Sequence, residues 1–225
     1  MKIIRNINNL KETIANIPKL GFVPTMGGLH KGHLKLIKKS VNRSQKTLVS
    51  IYVNPAQFNQ KKDLQILKRQ KVDFVFLPRT EEIYKSKIGK NIKIHRKNNV
   101  LCGKFRKGHF EGVIDVIDRF LSLINPKYIF LGEKDFQQLF LIKNYVKNRF
   151  KVKVISCKTV RDKNYVALSS RNFLLSKKNL TTAGKNAKKL KSFKNRLKYN
   201  QNFKKNINDI KNKLIEKYNI KLEYL

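Results

Sequence analysis

The sequence predicts an α/β protein with a doubly wound parallel sheet, followed by a small helical domain. Over residues 1–158, short apolar runs rich in β-branched and aromatic residues alternate with segments whose apolar residues recur at helical spacing. From residue 159 onward these runs give way to a polar loop and then to lysine-rich segments. We therefore expect two domains, over residues 1–158 and 159–225.

The predicted strands are apolar runs that end at turn residues. The segment TLVSIYV at 47–53 is typical of a strand buried on both faces. The predicted strands lie at residues 20–23, 47–53, 73–77, 128–131 and 152–156. Five such strands separated by helices favour a Rossmann-like parallel sheet. Two further short strands are expected, at 92–95 and 220–225.

The predicted helices carry apolar residues three and four positions apart. The segment that starts at Val113 shows this spacing well and is stopped by Asn125-Pro126. The helices of the first domain lie at residues 8–17, 34–43, 63–70, 113–124 and from 136 onward. Residues 179–217 read as lysine-rich amphipathic helices.

The chain is strongly basic, with 52 Lys and Arg against 14 Asp and Glu and a net charge of +38. The lysines are spread along the whole chain together with many Asn and Ile, a combination that an AT-rich genome favours. A nucleic-acid site would more often concentrate the charge on one face and interleave aromatic residues. We therefore expect no nucleic-acid partner, although the charge should attract anionic substrates.

Composition also indicates where the protein works. The sequence contains no run of 18 apolar residues, and its first 17 residues lack the apolar centre of a signal peptide. Two cysteines are too few for a disulfide framework or a zinc site. We expect a cytoplasmic protein with no membrane partner.

The stretch GFVPTMGGLHKGH at 21–33 is the strongest candidate site. A strand, a glycine-rich turn and a helix start would offer unpaired N–H groups and a positive helix dipole to a phosphate. His30 and His33 are one helical turn apart, so both imidazoles can face one anion. The alternatives are an ordinary turn and two histidines with structural or surface roles.

Polar residues also follow two other strands. Asn54 and Gln57 come after the strand at 47–53 and could orient a hydroxyl or a carboxylate, or belong to an ordinary turn. In the turn GEKD, Lys134 could neutralise phosphate charge, and Asp135 could bind ribose hydroxyls or cap the next helix. Gln137 and Gln138 would begin that helix facing the site.

Two loops could add basic or hydroxyl groups. Arg106, Lys107 and His109 in GKFRKGHFEG could reach an anion or stay solvated. In the loop at 159–171, the segment Ser169-Ser170-Arg171 could close over triphosphate oxygens, or a serine there could cap the following helix.

The order of these parts resembles known signatures. The sequence PTMGGLHKGH is similar to the HIGH-type signature of adenylate-forming nucleotidyltransferases. Five motifs together resemble the pantoate–β-alanine ligase family and stand in the family's order: PTMGGLHKGH at 24–33, SIYVNPAQFN at 50–59, HFEGV at 109–113, LGEKDFQQL at 131–139 and ALSSRN at 167–172. The resemblance spans about two thirds of the chain, from residue 24 to residue 172.

The resemblance implies a two-step reaction in one site. The carboxylate of pantoate would attack the α-phosphorus of ATP to give pantoyl adenylate and pyrophosphate, and the amine of β-alanine would then displace AMP. In this comparison His33 is the proton donor and His30 its partner. Mg2+ would be needed, with Asp63 near the metal, and the protein would be a homodimer.

The same resemblance assigns the remaining site residues. The residues assigned to ATP are Met26, Gly27, Gly28, Leu29, His30, Lys31, Gly32, His33, Gly132, Glu133, Lys134, Asp135, Val160, Leu168, Ser169, Ser170 and Arg171. The residues assigned to the substrate are Pro24, Thr25, Asn54, Gln57 and Gln138. Leu168 to Arg171 would act as a mobile KMSKS-like loop.

The chain departs from the family pattern in three places. The Tyr-Pro-Arg segment that normally follows the QF motif is missing after Phe58, and Lys62 replaces an acidic residue next to Asp63. The sequence ends at KLEYL, where the family continues into a small sheet, so we expect a shortened C-terminal helical lid. The alternative functions are a decayed ligase, another nucleotidyltransferase and a basic nucleic-acid-binding protein on the same fold.

Overall fold

The computed structural model describes residues 1–52, 60–84, 92, 94–95, 99–197 and 203–225. These residues form two compact units, Met1–Val160 and Arg161–Leu225. Within this part of the chain, no helix is both long and apolar enough to cross a membrane.

The first unit contains a six-stranded sheet in which every neighbouring pair is parallel. The strands are β1 (Lys2–Ile4), β2 (Leu20–Thr25), β3 (Lys46–Ile51), β4 (Phe74–Phe76), β5 (Tyr128–Gly132) and β6 (Lys153–Cys157). Their order across the sheet is β1-β4-β3-β2-β5-β6. The sequence prediction of a doubly wound, Rossmann-like sheet is therefore confirmed.

Helices connect these strands. They are α1 (Ile7–Ile14), α2 (Lys31–Arg43), α3 (Gln60–Arg69), α4 (Thr80–Ile83), α5 (Cys102–Phe105), α6 (His109–Ile124) and α7 (Phe136–Arg149). Helix α2 and the turn after it lie very close to β2, because a Cβ at Gly21 would collide with the hydroxyl oxygens of Ser40 and Ser44. Only glycine fits at this position without a shift of these neighbours.

Both faces of the sheet are covered, and alternate residues of the central strands β2 and β3 enter different cores. Phe22 of β2 and Leu48 of β3 belong to the larger core, which also contains residues of α1, α6 and α7. Val23 and Val49 belong to a second core with residues of α2 and α3. This double burial explains why the strands read as continuous apolar runs in the sequence.

The strand order places a crevice beside β2. From β2 the chain moves to β3 and β4 on one side, whereas β5 and β6 lie on the other side. In an open α/β sheet, ligands bind beyond the carboxyl ends of the strands at such a point of reversal. The turns that follow β2 and β5 are thus brought together.

A polar cluster around the buried Asp118 joins α6 to α7. Asp118 is fully buried and accepts hydrogen bonds from Tyr145 Oη, at 2.8 Å, and from Arg149. Burial and the hydrogen bond to Asp118 raise the pKa of Tyr145 to about 12. The carboxylate is therefore satisfied, as a buried charge must be.

In the part of the second unit that the structure describes, a turn at its start is followed by a 3-10 helix, Asn172–Leu174, and by two α-helices, α8 (Lys177–Leu197) and α9 (Phe203–Tyr218). Arg161 pairs with Ala167 across the turn, and the Asp162 carboxylate accepts from the N–H of Val166. Ser176 Oγ accepts from the N–H of Asn179 in the first turn of α8.

Three local predictions differ from the structure. Strand β1 is not among the predicted strands, since it has three residues of which two are exposed. The strand predicted at residues 220–225, which the structure describes, is absent, and this segment is not part of the sheet. Asp135 precedes α7 without a side-chain cap hydrogen bond, so its alternative role as a cap is wrong. The predicted strand at 92–95 lies partly outside the described residues.

Candidate active site

The turn after β2 is closed by its own hydrogen bonds. Thr25 is buried, and its hydroxyl donates to the carbonyl of Ser50 on β3 at 2.8 Å and accepts from the N–H of Gly27 at 3.4 Å. Gly27 and Gly28 have φ angles of 80° and 62°, in the region that glycine enters without steric cost. These two glycines therefore set the path of the turn, as their position in the sequence predicted.

A carboxylate from a different part of the chain holds this turn. Asp63, in the first turn of α3, is only 4% exposed. Its Oδ2 accepts from the N–H of Gly28 at 2.7 Å, and its Oδ1 accepts from the N–H of Leu29 at 3.0 Å. Two backbone donors that we expected to face a phosphate therefore contact a side chain of the protein.

The two histidines cap the helix that follows. His30 precedes α2, and its Nδ1 accepts from the N–H of Gly32 at 3.0 Å. The Nδ1 of His33 accepts in turn from the N–H of His30 at 3.3 Å. The ring centroids are 4.1 Å apart, so the imidazoles lie together as the spacing predicted. Each histidine is thus held by a backbone hydrogen bond, in the manner of a capping box.

These caps fix the tautomer of both rings. Because each Nδ1 accepts a hydrogen bond, the hydrogen of a neutral ring must be on Nε2. Burial, followed by the charges of His30 and Lys134, lowers the pKa of His33 to about 4, although Asp135 acts in the opposite direction. Burial and Lys134 also lower the pKa of His30. At neutral pH both rings are therefore uncharged Nε2–H donors.

The turn after β5 supplies charge. Glu133–Asp135 form a single 3-10 turn after Gly132, and Lys134 Nζ lies 3.1 Å from Asp135 Oδ1. Both side chains are more than a third exposed. Their charges act on the pKa of His33, as expected from the neighbouring positions of β2 and β5. The turn therefore adds positive charge that acts electrostatically on the histidine pair.

The segment before α6 borders the same region. Gln137, in the first turn of α7, donates to the carbonyl of Val100 at 2.7 Å. His109 Nδ1 lies 3.1 Å from the guanidinium of Arg106. Burial and Arg106 lower the pKa of His109, whereas Asp135 raises it. Asp135 thus acts electrostatically on both His33 and His109. For His109 the sequence allowed two roles, contact with an anionic ligand or exposure to solvent.

The other predicted residues of the first unit differ in their exposure. Gln138 and Val160 are half-buried, Pro24 is half-buried in β2, and Met26 and Lys31 are exposed. Asn54 and Gln57 lie outside the described residues.

The predicted loop of the second unit has its own internal contacts. Ser169 Oγ accepts from the N–H of Arg171 at 3.2 Å, and the side chain of Asn172 donates to the carbonyl of Ala167 at 3.1 Å. Leu168 and Ser169 are half-buried, whereas Ser170 and Arg171 are exposed. Ser169 therefore shapes a tight turn, and it is Ser176 that caps α8.

The described residues contain no group of three or more His, Cys, Asp or Glu side chains arranged to hold a metal ion. Both oxygens of Asp63 already accept backbone hydrogen bonds. The residues that the structure describes therefore do not form a metal site made of protein side chains alone.

Comparison with known proteins identifies the family. A family model described as pantoate-beta-alanine ligase matches residues 2–225. The chain belongs to the pantoate–β-alanine ligase family. A pantothenate synthetase of Clostridium botulinum (strain ATCC 19397 / Type A) is 38% identical over 95% of this chain and 82% of its own length. That of Francisella philomiragia is 43% identical over 81% of this chain and 73% of its own length.

Solved structures agree with this family. The pantoate-beta-alanine ligase of Francisella tularensis, solved in complex with beta-gamma ATP and beta-alanine, matches with a TM-score of 0.78 and 36% identity. The match covers 94% of this chain and 85% of the other. The pantothenate synthetase of Thermus thermophilus matches with a TM-score of 0.77 and 32% identity, over 86% of this chain and 74% of the other. The resemblance found in the motifs is therefore confirmed.

Proposed function

We propose that this chain joins pantoate to β-alanine through pantoyl adenylate. A carboxylate oxygen of pantoate attacks the α-phosphorus of ATP, and the bond from that phosphorus to the bridging oxygen of pyrophosphate breaks. The nitrogen of β-alanine then attacks the acyl carbon, AMP leaves, and the amine loses a proton. Membership of the ligase family supports this reaction, and so does the relative solved with beta-gamma ATP and beta-alanine.

The observation that carries the chemistry is the capped histidine pair beside Lys134. The Nε2–H groups of His30 and His33 would donate hydrogen bonds to phosphate oxygens, where negative charge grows as pyrophosphate leaves. With a pKa of about 4, His33 is neutral at pH 7 before ATP binds. We therefore assign to His33 the donation of a hydrogen bond, in place of the proton transfer that the sequence resemblance implied.

Positive charge in this proposal comes from Lys134. Its ammonium is more than a third exposed, so it can leave Asp135 for a phosphate without a large desolvation penalty. Gln138 would contact pantoate from the first turn of α7, together with Gln57 and Asn54. Leu168 to Arg171 would supply hydroxyl and guanidinium donors to ATP.

Mg2+ would enter bound to the triphosphate, since this ion keeps several waters and binds substrate phosphates in preference to cages made of protein groups. We also propose that the protein is a homodimer. Residues 1–158 would bind nucleotide and pantoate, and residues 159–225 would act as the lid.

The test is release of AMP and pantothenate from purified protein given ATP, Mg2+, pantoate and β-alanine, with each substrate omitted in turn. We expect turnover only when all are present. ATP binding without turnover would contradict the proposal and indicate a decayed ligase. Turnover with a different acid would indicate another nucleotidyltransferase, and salt-dependent RNA binding without turnover would indicate a nucleic-acid-binding protein.

A further inference from the structure

The carboxylate of Asp63 fills an anion-binding concavity made by the turn after β2. The N–H groups of successive residues, Gly28 and Leu29, converge on its two oxygens at 2.7 and 3.0 Å. Turns with positive φ angles commonly form such concavities and use them to bind phosphate. Here the bound anion belongs to the protein itself and comes from a helix 34 residues further along the chain than Leu29.

We propose that Asp63 is a positioning residue for the adenylation step. It holds the peptides of Gly28 and Leu29, and the next N–H along the chain, that of His30, donates to Nδ1 of His33. The peptide that carries this N–H directly follows the two that Asp63 holds, so the direction of the His33 imidazole depends on Asp63 through one intervening peptide. The His30 ring lies against that imidazole, with ring centroids 4.1 Å apart. This inference rests on the proposed function, because it concerns how the histidines reach ATP.

Two other roles for Asp63 fit the contacts less well. A metal ligand would need partners, and the described residues place no group of three or more His, Cys, Asp or Glu side chains around Asp63. A placeholder that leaves when a phosphate arrives would have to move out of a position that is 4% exposed and is part of the body of α3. A fixed anchor requires neither further ligands nor such a movement.

The chain offers a matched control. Asp73, which precedes β4, accepts from the N–H of Thr47 at 2.9 Å and pairs with Lys46 at 2.8 Å. It is also a carboxylate that holds a backbone N–H, but Thr47 lies near the start of β3, at the end of the sheet opposite to the candidate site. Asp73→Asn therefore makes the same chemical change, the loss of the charge and of one acceptor oxygen, without touching the turn after β2.

The experiment compares Asp63→Asn, Asp63→Glu and Asp73→Asn with the wild-type enzyme. We measure kcat and KM for ATP by AMP release, the Mg2+ concentration that gives half the maximal rate, the melting temperature and amide hydrogen exchange. We expect Asp63→Asn to lower kcat about a hundredfold with little change in KM for ATP, since a small misplacement of the histidines is felt mainly in the transition state. Asp63→Glu, which keeps two acceptor oxygens, should retain more of the rate, and Asp73→Asn should retain all of it.

Other outcomes would overturn the proposal. A rate restored by high Mg2+ in Asp63→Asn would make Asp63 a metal ligand, and a lower KM for ATP with kcat intact would make it a placeholder. If kcat falls only in proportion to the melting temperature, and does so equally in the Asp63 and Asp73 variants, Asp63 has a purely structural role.

Hydrogen exchange separates this proposal from the proposed function. If the wild-type protein forms no pantothenate, the function fails but the anchor can still be judged. Slow exchange of the Gly28 and Leu29 amides in the wild type and in Asp73→Asn, lost in Asp63→Asn, supports the anchor. Fast exchange of these amides in the wild type overturns it.

Discussion

The turns after β2 and β5 follow the same pattern in the sequence, yet the structure makes them different. In the first, the N–H groups of Gly28, Leu29, His30 and Gly32 all donate to side chains of the protein. In the second, α7 begins without a side-chain cap, and the main contact is a partly exposed pair between Lys134 and Asp135. One turn supplies fixed geometry, and the other supplies charge that can move.

The largest loss of kcat should come from variants that separate the two functions of His33, which accepts from the N–H of His30 and donates through Nε2–H. In His33→Asn the side-chain oxygen can still accept from the N–H of His30, but the Nε2–H donor is gone. We expect kcat for AMP release to fall about 10²–10³-fold with stability nearly unchanged. His33→Gln, which places an amide near the Nε2 position but loses the cap, should keep more rate and lose roughly 1 kcal/mol of stability. The opposite ranking would mean that His33 acts mainly as a cap.

Features of the fold and the site could be predicted from the sequence when the residues that form them lie close together along the chain. The parallel sheet and the pairing of His30 with His33 follow from local apolar runs and a three-residue spacing. The sequence could not predict that the N–H groups of the turn after β2 bind Asp63. This carboxylate lies 35 residues after Gly28 and reaches it only through the packing of α3. Strand β1 was missed since its pairing with β4 joins Lys2 to Phe74, and three residues carry too little pattern.

The second effect concerns stability at low pH. The pKa of His33 is about 4 in the folded protein and about 6.5 when unfolded, so the unfolded chain binds the proton more readily. The lowered pKa therefore contributes fully to the free energy of unfolding above about pH 6.5. As the pH falls toward 4, up to roughly 3 kcal/mol of this free energy is lost. Chemical denaturation of the wild type and His33→Asn between these pH values checks it. Because burial also lowers the pKa of His30 and His109, only the difference between the two proteins is informative. Parallel curves would contradict the lowered pKa.

A methyl group added to each turn tests their rigidity. A Cβ at Gly32 would lie 2.7 Å from Cε1 of His30, whereas a Cβ at Gly132 would come no closer than 3.9 Å to the backbone nitrogen of Lys134. Gly32→Ala should displace the His30 ring, with a loss of about tenfold in kcat and roughly 1 kcal/mol in stability. Gly132→Ala should keep the wild-type melting temperature and alter only KM for ATP. Equal melting temperatures for the two variants would show that the first turn is not rigid.

The smallest effect is expected from the mobile charge. Lys134→Gln should raise KM for ATP about fivefold at low salt, and less at high salt because the exposed charge is screened. Lys46→Gln, which removes a similarly exposed lysine from its pair with Asp73, is the control and should leave KM unchanged. An equal rise in both variants would assign the effect to the overall charge of +38 and would remove Lys134 from the nucleotide site.

The internal capping of the first turn has a consequence for inhibitor design. The amides of Gly28, Leu29, His30 and Gly32 are already engaged, so an inhibitor gains nothing from acceptor atoms aimed at them. The imidazole Nε2–H groups are neutral donors, so an uncharged acceptor can also pair with them, although each such hydrogen bond is weaker than one to a phosphate oxygen. Inhibitors of this site therefore need not carry the charge of a triphosphate. They can be designed to fit the turn after β2 as a rigid shape.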